Sequence, residues 1–146
     1  MSSQSDPAPY QGIVEQMPEA VVYAGPDGMI RVWNRGAEAL YGFAAAEVLG
    51  RSLDVIIPEH LRRAHWQAYD RALAEGRTRA GSAVRTTRAL HKDGRRLYVE
   101  LSFAVVTDAG GAAVGALAVG RDGTERHLAT RAAGPAASPA QPPVEG

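Results

Sequence analysis

Between the turn sequence His91-Lys92-Asp93-Gly94 and a second turn at Asp108 to Gly111 runs Arg96 to Thr107, and its polarity alternates residue by residue. Leu97, Val99, Leu101, Phe103 and Val105 fall on one side, and Arg96, Tyr98, Glu100, Ser102 and Ala104 on the other. Successive side chains of a β-strand point to opposite faces, so this period of two demands a long strand with one face buried. The tight turns at both of its ends predict long neighbours, Ser82 to Leu90 before it and Ala112 to Gly120 after it. Upstream, Ala20 to Tyr23 and Met29 to Trp33 flank Gly25-Pro26-Asp27-Gly28 and read as a hairpin.

Helices are predicted between these two groups of strands. Asn34 is placed to cap a helix that runs through Leu40 and ends near Gly42, and brief helical turns are expected at Ala44 to Leu49 and Ser52 to Val55. The longest helix is predicted over Ile57 to Gly76, with Pro58 in its first turn, Glu59 near its positive end and Gly76 as its C-cap. A short leading helix around Gln11 to Met17 completes the set. The expected architecture is α+β, a five-stranded antiparallel sheet with its helices inserted between strands two and three.

Length and composition bound the rest. The 146 residues suit one domain, expected over 10–131, between a disordered segment at 1–9 and a disordered Pro/Ala-rich tail at 132–146. The 16 basic and 16 acidic residues cancel, so no nucleic-acid or anionic-membrane footprint is expected. No apolar signal segment or membrane-length apolar run appears, and the expected location is the cytoplasm. The chain has no cysteine, which excludes disulfides, thiolate-held metal, cysteine nucleophiles and photochemical adducts to sulfur. No nucleophile is paired with a base, no glycine loop cradles phosphate, and Glu59, Asp70 and Glu75 scatter around the long helix, so no catalytic residue and no enzyme activity is expected.

The long helix carries the chemistry. Leu61, His65, Ala68 and Ala72 fall on one stripe, flanked by Tyr69 and Leu73. Two alanines beside a histidine leave a gap that either a neighbouring strand or a planar ligand must fill, because interiors close-pack. A histidine on an apolar face is most often a core residue bonded to backbone, and an arginine on a helix or strand is by default exposed. His60 lies five residues from His65, off the spacing that puts two ligands on one face, and His91 and His127 fall in a turn and near the end of the chain.

The order of elements, together with MPEAVVYAGPDGMIRVWNRGAEALYGFAAAEVLGRSLDVIIPEH, HKDGRRLYVELS and VGALAVGRDGTER, resembles a PAS sensory domain over about Val14 to Arg126. Gly123 departs from that pattern, where an aliphatic residue is usual. Around PEHLRRAHWQAYDRALAEG the chain is similar to the haem-binding PAS domains of rhizobial oxygen-sensing histidine kinases. That resemblance implies haem b held by His65 as the iron ligand, with Arg71 near one propionate, a contact to the other at Arg79, and Arg85 as the hydrogen-bond donor to bound oxygen. Neutral imidazole suits haem iron and arginine forks suit carboxylates. Ala68, Tyr69 and Ala72 would lie beneath the flat ligand, and Leu117 and Val119 are expected to line its distal side. The implied role is a sensor of oxygen or another diatomic gas, signalling to a homodimer mate or to a separate partner such as a histidine kinase. The alternative is a PAS interaction module with no cofactor, a small ligand or non-covalent flavin.

Overall fold

A computed structural model of the chain describes residues 8–78, 81 and 83–133. Helix α1 (Tyr10–Gln16) leads into strands β1 (Ala20–Ala24) and β2 (Ile30–Trp33), followed by α2 (Arg35–Tyr41), α3 (Ala45–Val48), 3-10 turns at Leu53–Ile56 and Glu59–Leu61, and α4 (Arg62–Glu75). Strands β3 (Arg85–Leu90), β4 (Arg96–Thr107) and β5 (Ala113–Asp122) and helix α5 (Thr124–Ala132) complete it. The five strands form one sheet in the order β2-β1-β5-β4-β3, and every neighbouring pair is antiparallel. This is the expected α+β arrangement, with α2, α3 and α4 between β2 and β3. The predicted long helix divides in two, a 3-10 turn through Leu61 and then α4, and β5 runs two residues beyond the expected Gly120. Ser82, the expected start of β3, and most of 1–9 and 132–146 lie outside the described residues.

The alternation in β4 folds as its polarity dictates. Leu97, Val99 and Leu101 are buried against the helices, and they pack with Val22, Ala24, Ile30, Trp33, Tyr41 and Val48 into the core. Residues directly across neighbouring strands share a face. The pairs Arg85↔Leu101, Thr87↔Val99 and Ala89↔Leu97 therefore turn Arg85, Thr87 and Ala89 toward the helices. The pairs Phe103↔Ala118 and Val105↔Ala116 do the same for Ala116 and Ala118.

Asn34 joins the hairpin to the helices. Its side-chain oxygen accepts from Ala37 N at 2.9 Å, capping α2, and from Val21 N at 2.8 Å, tying that cap to β1. Its amide nitrogen lies 2.9 Å from Val14 O, 3.0 Å from Glu19 O and 3.3 Å from Met17 O, which fixes the end of α1. Helix α4 is held at two points. At its start the Trp66 indole donates to Asp54 Oδ1 at 2.8 Å, while Arg62 donates to Ile57 O and Asp54 O. At its middle the Tyr69 hydroxyl lies 2.6 Å from Gly25 O and 3.1 Å from Ala24 O. Gly76 ends the helix at φ +76°, a conformation that favours glycine.

Candidate functional site

A cleft opens between α4 and strands β3, β4 and β5. Its volume is about 270 Å³, near the lower end for ligand sites. Ala68, Tyr69, Arg71 and Ala72 line one wall and Arg85, Phe103 and Ala116 the other, with His65 at the inner end. Glu75, Arg77 and Thr78 stand at the rim, so among the described residues three arginines and a single glutamate surround the cleft. The excess positive charge suits a ligand that carries carboxylates. No hydrogen bond or ion pair among the described residues occupies the Arg85 or Arg71 side chain.

His65 stands between this cleft and a second, inner recess of about 80 Å³, and it lines both together with Phe103. Its Nδ1 is buried and has no hydrogen-bond partner among the described residues. Leaving a buried polar atom unpaired costs about 1–3 kcal/mol, which makes this nitrogen the anomaly of the interior. Burial holds the ring's pKa down at about 4, against smaller opposing pulls from Asp54 and Asp70. The imidazole is therefore neutral at neutral pH, with a lone pair available. Its neighbours are aromatic: the ring centroid lies 4.6 Å from that of Trp66 and 5.8 Å from that of Tyr69.

Of the residues expected at the site, His65, Ala68, Tyr69, Arg71, Ala72 and Arg85 converge on the cleft. Arg79 lies outside the described residues. Leu117 and Val119 correct the expectation for β5: they pair with Ala104 and Ser102 on β4 and with Tyr23 and Val21 on β1, and so point away from the helices. The apolar lining comes instead from Ala116 and Phe103. Phe103 was legible in the β4 alternation as facing the core. Ala116 had no such signal, because β5 from Ala113 to Gly120 is apolar or glycine throughout. Tyr69 also does more than lie under a ligand, since its hydroxyl anchors α4 to the hairpin turn.

The donor chemistry of the cleft fits haem: a neutral, partly buried histidine with an unpaired nitrogen, small residues on the same helix face, and free guanidinium groups at the edges. A single histidine is all that such a ligand asks of the protein, and no cluster of three or more metal-ligating side chains occurs among the described residues.

Residues 14–128 match the PAS fold family. The oxygen sensor protein DosP of Escherichia coli is 28% identical over 97 residues, 66% of this chain and 12% of that protein. An uncharacterized protein of Azorhizobium caulinodans is 34% identical over 85 residues, 58% of this chain and again 12% of its relative. The chain thus spans a small part of the curated proteins it matches. Among solved structures, the PAS domain of a Colwellia psychrerythraea protein superposes with a TM-score of 0.69 at 24% identity, covering 80% of this chain and 96% of that one. An RNA-binding light-oxygen-voltage receptor superposes at 0.67 with 25% identity, covering 91% of this chain and 40% of the receptor. No described helix is long and apolar enough to cross a membrane. With that family match running from the end of α1 into α5, over the sheet order and helix insertion described above, the chain belongs to the PAS fold family of sensory and signalling domains.

Proposed function

We propose that this PAS domain is a gas sensor that holds haem b in the cleft under α4, with His65 as the residue that would bind the iron and oxygen as the sensed molecule. The observation that carries this reading is the buried, unpartnered Nδ1 of a neutral His65 at the inner end of a cleft edged by arginines. The likeness to an oxygen sensor protein supports it. Haem b supplies an iron centre with an open position for a diatomic gas. The chain's own residues do the rest. His65 would bind and orient the group, Ala68 and Ala72 would let a flat ring approach the helix, and Arg71, with Arg79 by the family resemblance, would pair with its carboxylates. Arg85, on the facing strand, would donate a charge-assisted hydrogen bond toward the gas, while Phe103 and Ala116 would keep water away.

The output runs through the sheet to α5 and from there to a dimer mate or a separate signalling partner such as a histidine kinase. Helix α5 is coupled to β4 directly: the Tyr98 N–H donates to Thr124 Oγ1 at 2.9 Å, and the Tyr98 and His127 rings stack 4.0 Å apart. The test is an absorption spectrum of protein supplied with haem, reduced and then exposed to oxygen and carbon monoxide. A Soret band that shifts with each gas and is lost in His65→Ala supports the reading, and an unchanged spectrum in His65→Ala removes it. A second reading, non-covalent flavin, is favoured by the likeness to a light-oxygen-voltage receptor over nearly the whole domain. It requires chemistry without a cysteine adduct, and purified protein that is yellow would establish it.

A further inference from the structure

The chain has two tryptophans, each set among other rings, and the partners of their N–H groups differ. Trp33 is buried against Tyr41 and Phe43, and its indole donates to Phe43 O at 2.9 Å. A backbone carbonyl accepts a hydrogen bond but is too weak a base to take the proton. Trp66 is half-buried, and its indole donates to the Asp54 carboxylate at 2.8 Å. A carboxylate at that distance is within reach of proton transfer. The Asp54 side chain is 40% exposed, so a proton received there passes on to water. The Trp66 ring is also fixed from behind: it lies so close over Gly28 that a Cβ there would fall 2.3 Å from its Cη2.

Rings join Trp66 to the cleft. Tyr69 lines the cleft, and its ring centroid is 5.2 Å from that of Trp66 in an edge contact. His65 lines it too, 4.6 Å from Trp66. The Tyr69 hydroxyl lies against Ala24 O and Gly25 O, so an oxidised Tyr69 has no base to take its proton and the missing electron is not held there. At Trp66 it is, because oxidation makes the indole N–H acidic and Asp54 takes the proton. We propose that Trp66 and Asp54 form a one-electron outlet for the cleft. This rests on the reading that the cleft holds a redox-active group, and it serves haem and flavin alike. Trp66 gives one electron, through the Tyr69 and His65 rings, to a one-electron oxidant of the haem or flavin class seated in the cleft. The oxidant is reduced by one electron and the indole becomes a radical cation. Its Nε1–H bond then breaks, the proton forms a bond to Asp54 Oδ1, and a neutral indolyl radical is left beside a carboxylic acid. A soluble thiol supplies one electron as the proton returns from Asp54 to Nε1, and is itself oxidised to a thiyl radical while its own proton passes to water. Oxidising equivalents thereby leave the cleft without attacking His65.

The test uses the full chain without haem or flavin. The chain has no cysteine, so Glu75→Cys at the exposed rim of the cleft gives a single thiol for a ruthenium tris-bipyridine label. A laser flash with hexaammineruthenium as quencher turns that label into a one-electron oxidant, and transient absorption and EPR identify the radical that follows. A neutral indolyl radical is expected. Trp66→Phe loses it and Trp33→Phe retains it. Asp54→Asn, which keeps an oxygen to accept the hydrogen bond but not a base, gives the indole radical cation in its place. An undiminished indolyl signal in Trp66→Phe, loss of that signal in Trp33→Phe, a neutral radical formed equally fast in Asp54→Asn, or a tyrosyl radical alone overturns the proposal. Should Trp66→Phe fail to fold, Trp33→Phe decides, since Trp66 is then the one tryptophan in the chain. The label stands in for the cofactor, so failure of the outlet leaves the haem reading standing, and absence of a Soret band leaves the outlet to be read from the label.

Discussion

Asn34 and His65 are both polar side chains of the interior, and their surroundings are opposite. Asn34 is wholly buried and every polar atom of its amide is engaged, with β1, α2 and the end of α1 all tied to it. His65 has a buried nitrogen that no group among the described residues hydrogen-bonds. A polar group that builds the fold is saturated by the fold. On the proposed function, the nitrogen left without a partner beside the cleft marks the ligand site. The α2 corner of this domain is then a structural joint, and the α4 cleft the proposed receptor.

The largest effect should come from breaking the joint. Asn34→Ala strands the Val21 and Ala37 amides and the carbonyls of Val14 and Glu19, several buried groups at about 1–3 kcal/mol each, partly relieved by water at the end of α1. A loss of about 3–5 kcal/mol in urea unfolding is expected, and a loss below about 1 kcal/mol would mean that the joint is not structural. The receptor side predicts a pH signature in protein without haem. The folded pKa of His65 is depressed from 6.5 to about 4, so its stabilising contribution is complete above pH 6.5 and is lost as pH falls toward 4. The loss amounts to about 2–3 kcal/mol across that window, with no slope from this group above it. His65→Phe should remove that slope.

The same two regions differ in how readable they were. Asn34 announces itself, because an asparagine just before a helical run is a cap, and the turn glycines and β4 alternation leave little freedom in the sheet. His65 was singled out by its place on the apolar stripe of the long helix, whereas Arg85 entered only through the resemblance to haem-binding PAS domains. The facing of β5 was not, since an apolar-throughout strand has no period, and Leu117 and Val119 fell on the wrong side for that reason.

The smallest effect sharpens the comparison most. Replacing Asn34 destabilises, whereas His65→Phe should stabilise protein without haem by about 1 kcal/mol at neutral pH, because it removes an unpaired buried nitrogen and keeps the aromatic packing against Trp66 and Tyr69. A loss of similar size would instead place His65 among the structural residues, beside Asn34.

Thermal unfolding of the unaltered chain and of His65→Phe, each with and without excess haem, joins these threads, since a molecule that binds only the folded state raises its stability by mass action. The account predicts a clear rise in Tm for the unaltered chain and none for His65→Phe, which starts from the higher value. An equal rise in both, or none in either, would contradict the assignment of His65 as the residue kept for a ligand.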